Sequence, residues 1–394
     1  MWLDLNPWWK HDDWSERDKH LKNWNSQRIR WIPKWIDRIS LEPFSLNFVV
    51  GPRQVGKTTG LKLLIKGLIE DGVDPERITF LSCDPFIDAH HLRKILEKYF
   101  EMREEKDILI LDEVTSIEDW WKVVKAYVDL GKFDNSVVIV SGSLSLRLKK
   151  RAEMFPGRRG KGENIIVLPL SFPEYVEVMG VKPKRRYEED IRRAFKNYLS
   201  FGGFPRAING DSYFFSESLD SLEADLFKIG KSYRIAMQML AQIITKAPSA
   251  LSYNAIGSEI QISHITVREY IEVLEEMFIL KTAFLKEGNK ILFRKEKKIF
   301  IRDPGIARAI AGVFDIELKK DVLYEWIVQE HLYRKFGEIY YYRNKYEIDC
   351  IADDLKVEVK AGKAHRRYPK DVMVLEEDEI PMFLLTQARD ELDR

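Results

Sequence analysis

From Leu46 to Leu170 the chain alternates between two patterns. Short, almost wholly apolar runs are separated by longer stretches with apolar residues every three or four positions. The runs are SLNFVV (45–50), Ile78–Asp84, Asp107–Val114, Val137–Ser143 and Ile165–Leu170. Such runs suit strands buried on both faces of a parallel sheet, where neither face meets water. Helical periodicity predicts helices over Thr58–Glu70, closed by Asp71-Gly72, and near Ala89–Arg103. Strands alternating with helices over about 130 residues predict a doubly wound or P-loop type sheet. Past Phe172 the runs stop. Helical periodicity fills Tyr187–Met277, short β segments follow near Ile279–Leu285 and Lys290–Phe293, and a last α/β stretch runs from Ile299 to the end.

The first 35 residues are different. They hold seven of the ten tryptophans, interleaved with Lys and Arg. Aromatics among cations can stack on the bases of a single strand. The preferred reading is a helical arm that packs its Trp side chains on the next domain or on a neighbouring subunit, because Trp carries a large apolar area.

Composition sharpens the picture. At 394 residues, 45% apolar and 32% charged, the chain is long enough for several domains, each with its own core. Cys83 and Cys350 stand alone, so neither a disulfide framework nor a zinc site is expected. No apolar stretch reaches the roughly 18 residues of a membrane span, and the N-terminus lacks a signal peptide's apolar run. A cytoplasmic protein without a membrane partner is the expectation. The charged fraction and only seven Gln lean toward a thermophilic source. The net charge of +1 excludes a uniformly basic binder. Charge is nevertheless segregated: Arg147–Lys161 has seven basic residues and one acid, Lys281–Arg302 eight and two, and Lys356–Lys370 six and one, offset by an acidic C-terminus. These runs are where a DNA path would need them.

The first chemical motif is Gly51-Pro52-Arg53-Gln54-Val55-Gly56-Lys57-Thr58, which follows a strand and opens a helix, with Thr59 next. This is the phosphate-binding P-loop pattern, in which glycines let backbone N–H groups wrap the phosphates at a helix N-terminus. Lys57 reaches the β- and γ-phosphates and Thr58 ligates Mg²⁺. Four apolar residues and Asp112-Glu113 supply the companion acids. Asp112 holds the metal through water, and Glu113 acts as general base. ATP/ADP and Mg²⁺ are the expected cofactors. Ser141 and Ser143, at the end of the fourth strand, are candidates for a γ-phosphate sensor or form an ordinary Ser-Gly turn. Arg158 is a candidate arginine finger acting on a neighbour's nucleotide, part of a basic DNA-facing patch, or a solvated loop residue.

Two further constellations follow. Leu251–Leu280 reads as helix-turn-helix, with a short helix after Tyr253, a turn at Gln261–Ser263 and a longer helix over His264–Met277. The second helix carries Glu269, Glu272, Glu275 and Glu276, which makes sequence-specific readout doubtful. A structural or protein-contact role is as good a reading, and the basic hairpin Lys281–Phe293 is the better DNA candidate. Ile339–Gly362 reads as three successive strands. Glu358 and Lys360, two apart, share a face, and Asp349 on the neighbouring strand can meet them. Asp349 and Glu358 could hold Mg²⁺ and Lys360 orient a water for phosphodiester attack. The same trio also fits a buried ion-pair set in a domain that kept such a fold without the activity.

Taken in order, GPRQVGKTT, ILILDEV, VSGS, Gly157-Arg158, LPLSFPEY and YLSFGGFPRAI resemble the prokaryotic, often archaeal, AAA+ P-loop ATPases that carry a C-terminal restriction-endonuclease-like domain of unknown function. The resemblance implies an α/β fold: a Trp-rich arm (1–40), an AAA+ core (41–180), a helical lid (181–235), a winged helix (236–295) and a PD-(D/E)xK nuclease-like α/β domain (296–394). It implies one more acid from an earlier helix, Glu325 by position, with Glu330 the alternative. The expected function is a DNA-stimulated ATPase of repair, recombination or replication, forming a homo-oligomer on branched or single-stranded DNA. Alternatives are a nucleotide-dependent switch that binds protein partners, and an ATP-gated defence or mobile-element nuclease.

Overall fold

The computed structural model describes residues 2–102, 107–143, 155–182, 188–344, 346–363 and 367–392. It divides into two compact units, Met1–Leu168 and Pro169–Arg394.

Unit 1 is built on a five-stranded parallel sheet of β1 (Ser45–Val50), β2 (Ile78–Ser82), β3 (Ile108–Asp112), β4 (Val137–Gly142) and β5 (Asn164–Ile166), in the order β2-β3-β4-β1-β5. Every residue of β1, β3 and β4 is buried, which is why the sequence reads there as continuous apolar runs. β5 is shorter than the run Ile165–Leu170 predicts. It lies at the sheet edge, alternates exposed and buried positions, and Pro169 beyond it has no N–H to offer a ladder. The strand order puts β4 between β1 and β3. The ends of three strands, leading to the P-loop, to Asp112-Glu113 and to Ser141-Gly142-Ser143, therefore lie side by side at the carboxyl edge where ligands of such sheets bind.

The tryptophan arm closes the other edge of this sheet. β2 is an edge strand, and the Asn6 side chain pairs with it as a strand residue would, donating to the Phe80 carbonyl (3.1 Å) and accepting its N–H (2.6 Å). Trp8 and Trp9 each donate an indole N–H to the Ile78 carbonyl at 2.9 Å. Trp8 and Trp14 are buried and meet edge to face, with ring centroids 5.0 Å apart. Lys62 is buried beneath them, 3.8 Å from the Phe80 ring and 3.5 Å from an Asp18 oxygen. Unpaired edge groups are thus covered, as buried backbone polar groups require.

Unit 2 opens with helix Phe172–Val178, started by a capping box between Ser171 and Glu174. Helices Glu188–Phe201, Phe214–Lys228 and Tyr233–Lys246 follow. Tyr253–Ile260 and His264–Glu276 come next, joined by a turn in which Gln261 takes a left-handed backbone (φ 58°). One sheet runs through the rest: β6 (Leu280–Glu287), β7 (Lys290–Ile291), β8 (Lys297–Ile301), β9 (Tyr340–Arg343), β10 (Glu347–Ala352), β11 (Leu355–Lys360) and β12 (Met373–Glu376). Its order is β12-β11-β10-β9-β6-β7, with β8 also paired to β6. The hairpin strand β6 therefore bonds β9 directly, through Phe284–Tyr340 and Leu285–Tyr341. β6 on one side of residue 295 and β8 and β9 on the other are hydrogen-bonded neighbours in this one sheet. Helices Pro304–Val313, Lys320–Phe336 and Ile380–Leu392 complete the unit. Among the described residues, no helix is long and apolar enough to cross a membrane.

Candidate nucleotide site and a second charged site

The P-loop turns from β1 into helix Lys57–Glu70 through two left-handed residues, Gln54 (φ 60°) and Gly56 (φ 97°). At Gly51 a side chain is impossible: a Cβ would lie 2.0 Å from the Val167 carbonyl oxygen. Val55 is buried, while Arg53, Thr58 and Thr59 are half-buried. The Lys57 ammonium is folded back over the loop and donates to the carbonyls of Gly51 (2.8 Å) and Pro52 (2.9 Å). The loop is thus braced by the cation that would meet the phosphates.

Five residues then form one chain of hydrogen bonds. Thr58 Oγ1 donates to Asp112 Oδ2 at 2.8 Å, and the Ser141 hydroxyl donates to the other Asp112 oxygen. Ser141 Oγ accepts the Glu113 N–H at 3.0 Å. Ser143 gives both its N–H (3.0 Å) and its hydroxyl to Glu113 Oε1. Glu113 itself has a left-handed backbone (φ 55°), uncommon for a non-glycine residue and a mark of functional positions. Burial raises the Asp112 pKa, against the hydroxyls of Ser141 and Thr58 that lower it. The donor set fits Mg²⁺: a hydroxyl and a buried carboxylate in direct contact, with both carboxylate oxygens held by neutral hydroxyls. Ser141 bonds to both acids and Ser143 to Glu113. Arg158 pairs instead with Asp129 at the surface.

In unit 2, Asp349 and Glu358 sit opposite each other, as the Cys350–Val357 pairing requires. The β9–β10 register shifts between Ile348 and Ile351, the stretch that holds Asp349. Asp349 Oδ2 accepts the Val359 N–H at 2.9 Å. Its Oδ1 accepts from Lys298 Nζ at 2.6 Å. The same ammonium reaches Glu325 Oε1 (2.9 Å) and Glu347 Oε1 (2.9 Å). Gln329 also donates to Glu325 Oε1 at 2.9 Å. Glu358 turns elsewhere: its Oε1 accepts from Lys360 and from the Tyr368 hydroxyl (2.9 Å). Burial and then the Asp349 charge push Glu358 up to about 7 and Glu325 well above its usual range. Burial would lower Lys298, but Glu325, Asp349 and Glu347 together hold it well above the ordinary value, so it stays charged.

This geometry does not fit a resident divalent cation shared by Asp349 and Glu358. The pair is split between two lysines, and among the described residues no group of three His, Cys, Asp or Glu side chains is placed to hold a metal ion. Glu330 is taken by Arg302, through two bonds of 2.9 Å, and by Arg334 (2.7 Å), leaving Glu325 as the helix acid beside Asp349.

Sequence reasoning missed Lys298, Glu347, Gln329 and Tyr368. The signal was β8 itself, KKIFI, in which all five residues are buried. The run Lys281–Arg302 is accordingly less of a DNA surface than its charge suggests. Lys298 and Arg302 neutralise internal acids, Lys297 is buried and donates to the Lys295 carbonyl (2.6 Å), and Lys281 pairs with Glu275. Lys290, Arg294 and Lys295 remain exposed, with Lys286 half-buried. Arg147, Lys149, Lys150, Arg151 and Arg366 lie outside the described residues.

Residues 44–176, which hold the P-loop and the five strands of its sheet, match the family model described as an AAA domain. Residues 192–317 match a domain of unknown function (DUF8612). The chain is 23% identical over 285 residues to an uncharacterized protein of Haemophilus influenzae, covering 68% of this chain and 69% of that one. It is 27% identical over 176 residues to an uncharacterized protein of Methanocaldococcus jannaschii, covering 42% of this chain and 37% of that one. Among solved structures it is similar to the Aeropyrum pernix ORC2 protein in ADPNP-ADP complexes (TM-score 0.39, 10% identity, 71% of this chain and 91% of that chain). It is also similar to the Aeropyrum pernix ORC1 protein in complex with DNA (TM-score 0.33, 13% identity, 68% and 86%). Likeness at that level carries no functional argument.

Proposed function

We propose that the chain hydrolyses ATP and couples hydrolysis to work on DNA. The observation that carries the ATPase reading is the continuous network Thr58–Asp112–Ser141–Glu113–Ser143 beside the P-loop. On binding, the loop N–H groups take the phosphates and Lys57 exchanges its two carbonyl partners for phosphate oxygens. Thr58 and Asp112 would hold Mg²⁺, whose charge offsets that of the β- and γ-phosphates. Glu113 accepts a proton from the attacking water, aimed by Ser143. DNA is supported by the β6–β7 hairpin region, where Lys290, Arg294 and Lys295 are exposed with Lys286 beside them.

ATP turnover measured without DNA and with single-stranded, duplex and branched DNA tests both parts. DNA should raise turnover, Lys57→Ala should abolish it, and DNA affinity should fall with salt at a log–log slope of about −3 to −4 if four cations meet phosphates. Unchanged turnover in Lys57→Ala refutes the P-loop assignment, and salt-independent or absent DNA binding refutes the partner. A second reading, a switch that binds proteins, is favoured by helix His264–Glu276. Its exposed charges are already satisfied within the chain, Glu269 by Lys231 and Glu272 by Arg268. Charge reversal at Lys290 and Arg294 separates the two, since it should cancel DNA stimulation and leave a protein switch untouched.

A further inference from the structure

We propose that the carboxylate pocket of unit 2 is a metal-excluding site, in which the Lys298 ammonium takes the place of a divalent cation. The ammonium has three N–H donors, and the pocket offers three carboxylate oxygens within 2.9 Å, from Glu325, Glu347 and Asp349. Two of these contacts are hydrogen bonds, to Glu325 and Asp349, and the third, to the 40% exposed Glu347, is an ion pair. Lys298 is held there by fold: β8 pairs with β6 over Leu280–Phe284, and every residue of β8 is buried. The Lys298 side chain is 3% exposed, so no water competes for its charge.

The remaining coordination around the pocket is also spent. Asp349 Oδ2 serves the Val359 N–H, and the Gln329 amide shares Glu325 Oε1. Glu358, the acid that would complete a two-carboxylate metal site, gives one oxygen to Lys360 and Tyr368. Its other oxygen, Oε2, is buried without a hydrogen-bond partner. One carboxylate oxygen does not hold Mg²⁺ or Mn²⁺, which take about six oxygen ligands at short range. A divalent ion entering beside Asp349 would also face the Lys298 charge at contact distance, in a poorly screened interior. Removing the amine inverts the balance. Three carboxylate oxygens would then lose the cation they share, and the charge barrier to a divalent ion would go with it.

The inference is independent of the ATPase reading, because Lys57 and Lys298 belong to different units. The test uses full-length, nucleotide-free protein and Mn²⁺, with binding followed by electron paramagnetic resonance and thermal unfolding. Wild type and Asp349→Asn should bind Mn²⁺ equally, since Asp349 holds none. Lys298→Ala should gain one site, with an affinity at least about tenfold above any wild-type binding. That gain should vanish in Lys298→Ala/Asp349→Asn, and Mn²⁺ should raise the unfolding midpoint of the single variant alone. Mn²⁺ binding to wild type that Asp349→Asn removes overturns the proposal, as does a folded Lys298→Ala that gains nothing. If Lys298→Ala does not fold, the comparison of wild type with Asp349→Asn still decides. Mg²⁺-dependent DNA cleavage by wild type that Asp349→Asn abolishes overturns it by a separate route.

Discussion

Glu113 occupies a backbone region that most side chains avoid, and its carboxylate is held from one side by a single residue, Ser143. A group that must take a proton from water needs its orientation fixed before the water arrives. Replacing Glu113 with Gln keeps the shape and removes the base. ATP affinity should stay within about threefold of wild type while turnover falls by roughly 10²–10⁴-fold, read by equilibrium nucleotide binding and steady-state hydrolysis. Ser143→Ala removes one of the two bonds that aim Glu113. It should lower kcat by about tenfold with little change in KM, because the lost contact positions the base and not the substrate. These residues were legible in the sequence because the P-loop and the acids after an apolar strand are local patterns. Lys298 was not, because nothing in KKIFI says which lysine faces a carboxylate twenty-seven residues away on a helix.

At the scale of elements, the arm and β2 behave as one structure. Asn6 supplies the edge of the sheet with a donor and an acceptor, and the Trp8 ring faces the Lys62 ammonium, 4.7 Å from its centroid. Trp8→Ala should destabilise unit 1 by about 3–5 kcal/mol, the usual cost of removing a buried Trp. Asn6→Ala should cost about 1–3 kcal/mol by leaving buried Phe80 groups unsatisfied. Urea unfolding of the full chain, followed by Trp fluorescence, measures both. An arm that merely awaits nucleic acid would show neither loss. Helix Lys320–Phe336 shows how an element sorts its acids. Glu325 and Gln329 are four apart and share a face, whereas Glu330 is five on from Glu325 and points about 140° away. One acid therefore meets Lys298 and the other Arg302 and Arg334. The sequence offered both glutamates for one role; the helix phase separates them.

For the whole molecule, the response to acid includes two buried groups of unit 2 that act in opposite directions. In unit 2 His331 accepts the Phe172 N–H at Nε2 (2.8 Å), so its proton sits on Nδ1, 2.7 Å from the Ile327 carbonyl. Burial, and then the Arg334 charge, lower its pKa from 6.5 to about 4. Between these values the unfolded chain binds more protons than the folded one. Stability is therefore full above 6.5 and is lost as pH falls toward 4. Burial raises Asp303 from 3.8 to about 6, against bonds from Gly203, Ile306 and Gly305, so its contribution is lost as pH rises through that window. The two partly cancel in wild type and are best separated by a variant. The stability gap between wild type and His331→Gln should narrow by about 2–3 kcal/mol from pH 7 to 4.5, since each tenfold difference in proton affinity between the folded and unfolded chain is worth roughly 1.4 kcal/mol. Denaturant unfolding at the two pH values, with tryptophan signals from each unit, checks it. A gap that does not change with pH would mean that His331 titrates normally in the fold.

What the amino-acid sequence determined by itself is what depends on neighbours along the chain. Strand burial in unit 1 shows as apolar runs, the phosphate loop as glycines at fixed spacing, and the helix pair Tyr253–Glu276 as periodicity around a turn. Tertiary structure alone decided where charge goes. Net charge and basic runs count residues without regard to partners. Folding places Lys298 and Arg302 against acids on one distant helix, joins β6 to β9, and gives the facing acids Asp349 and Glu358 different lysine partners. The physical reason is that a buried charge is stabilised only by a partner in space. Partners brought together by sheet register and helix phase leave little trace in sequence order.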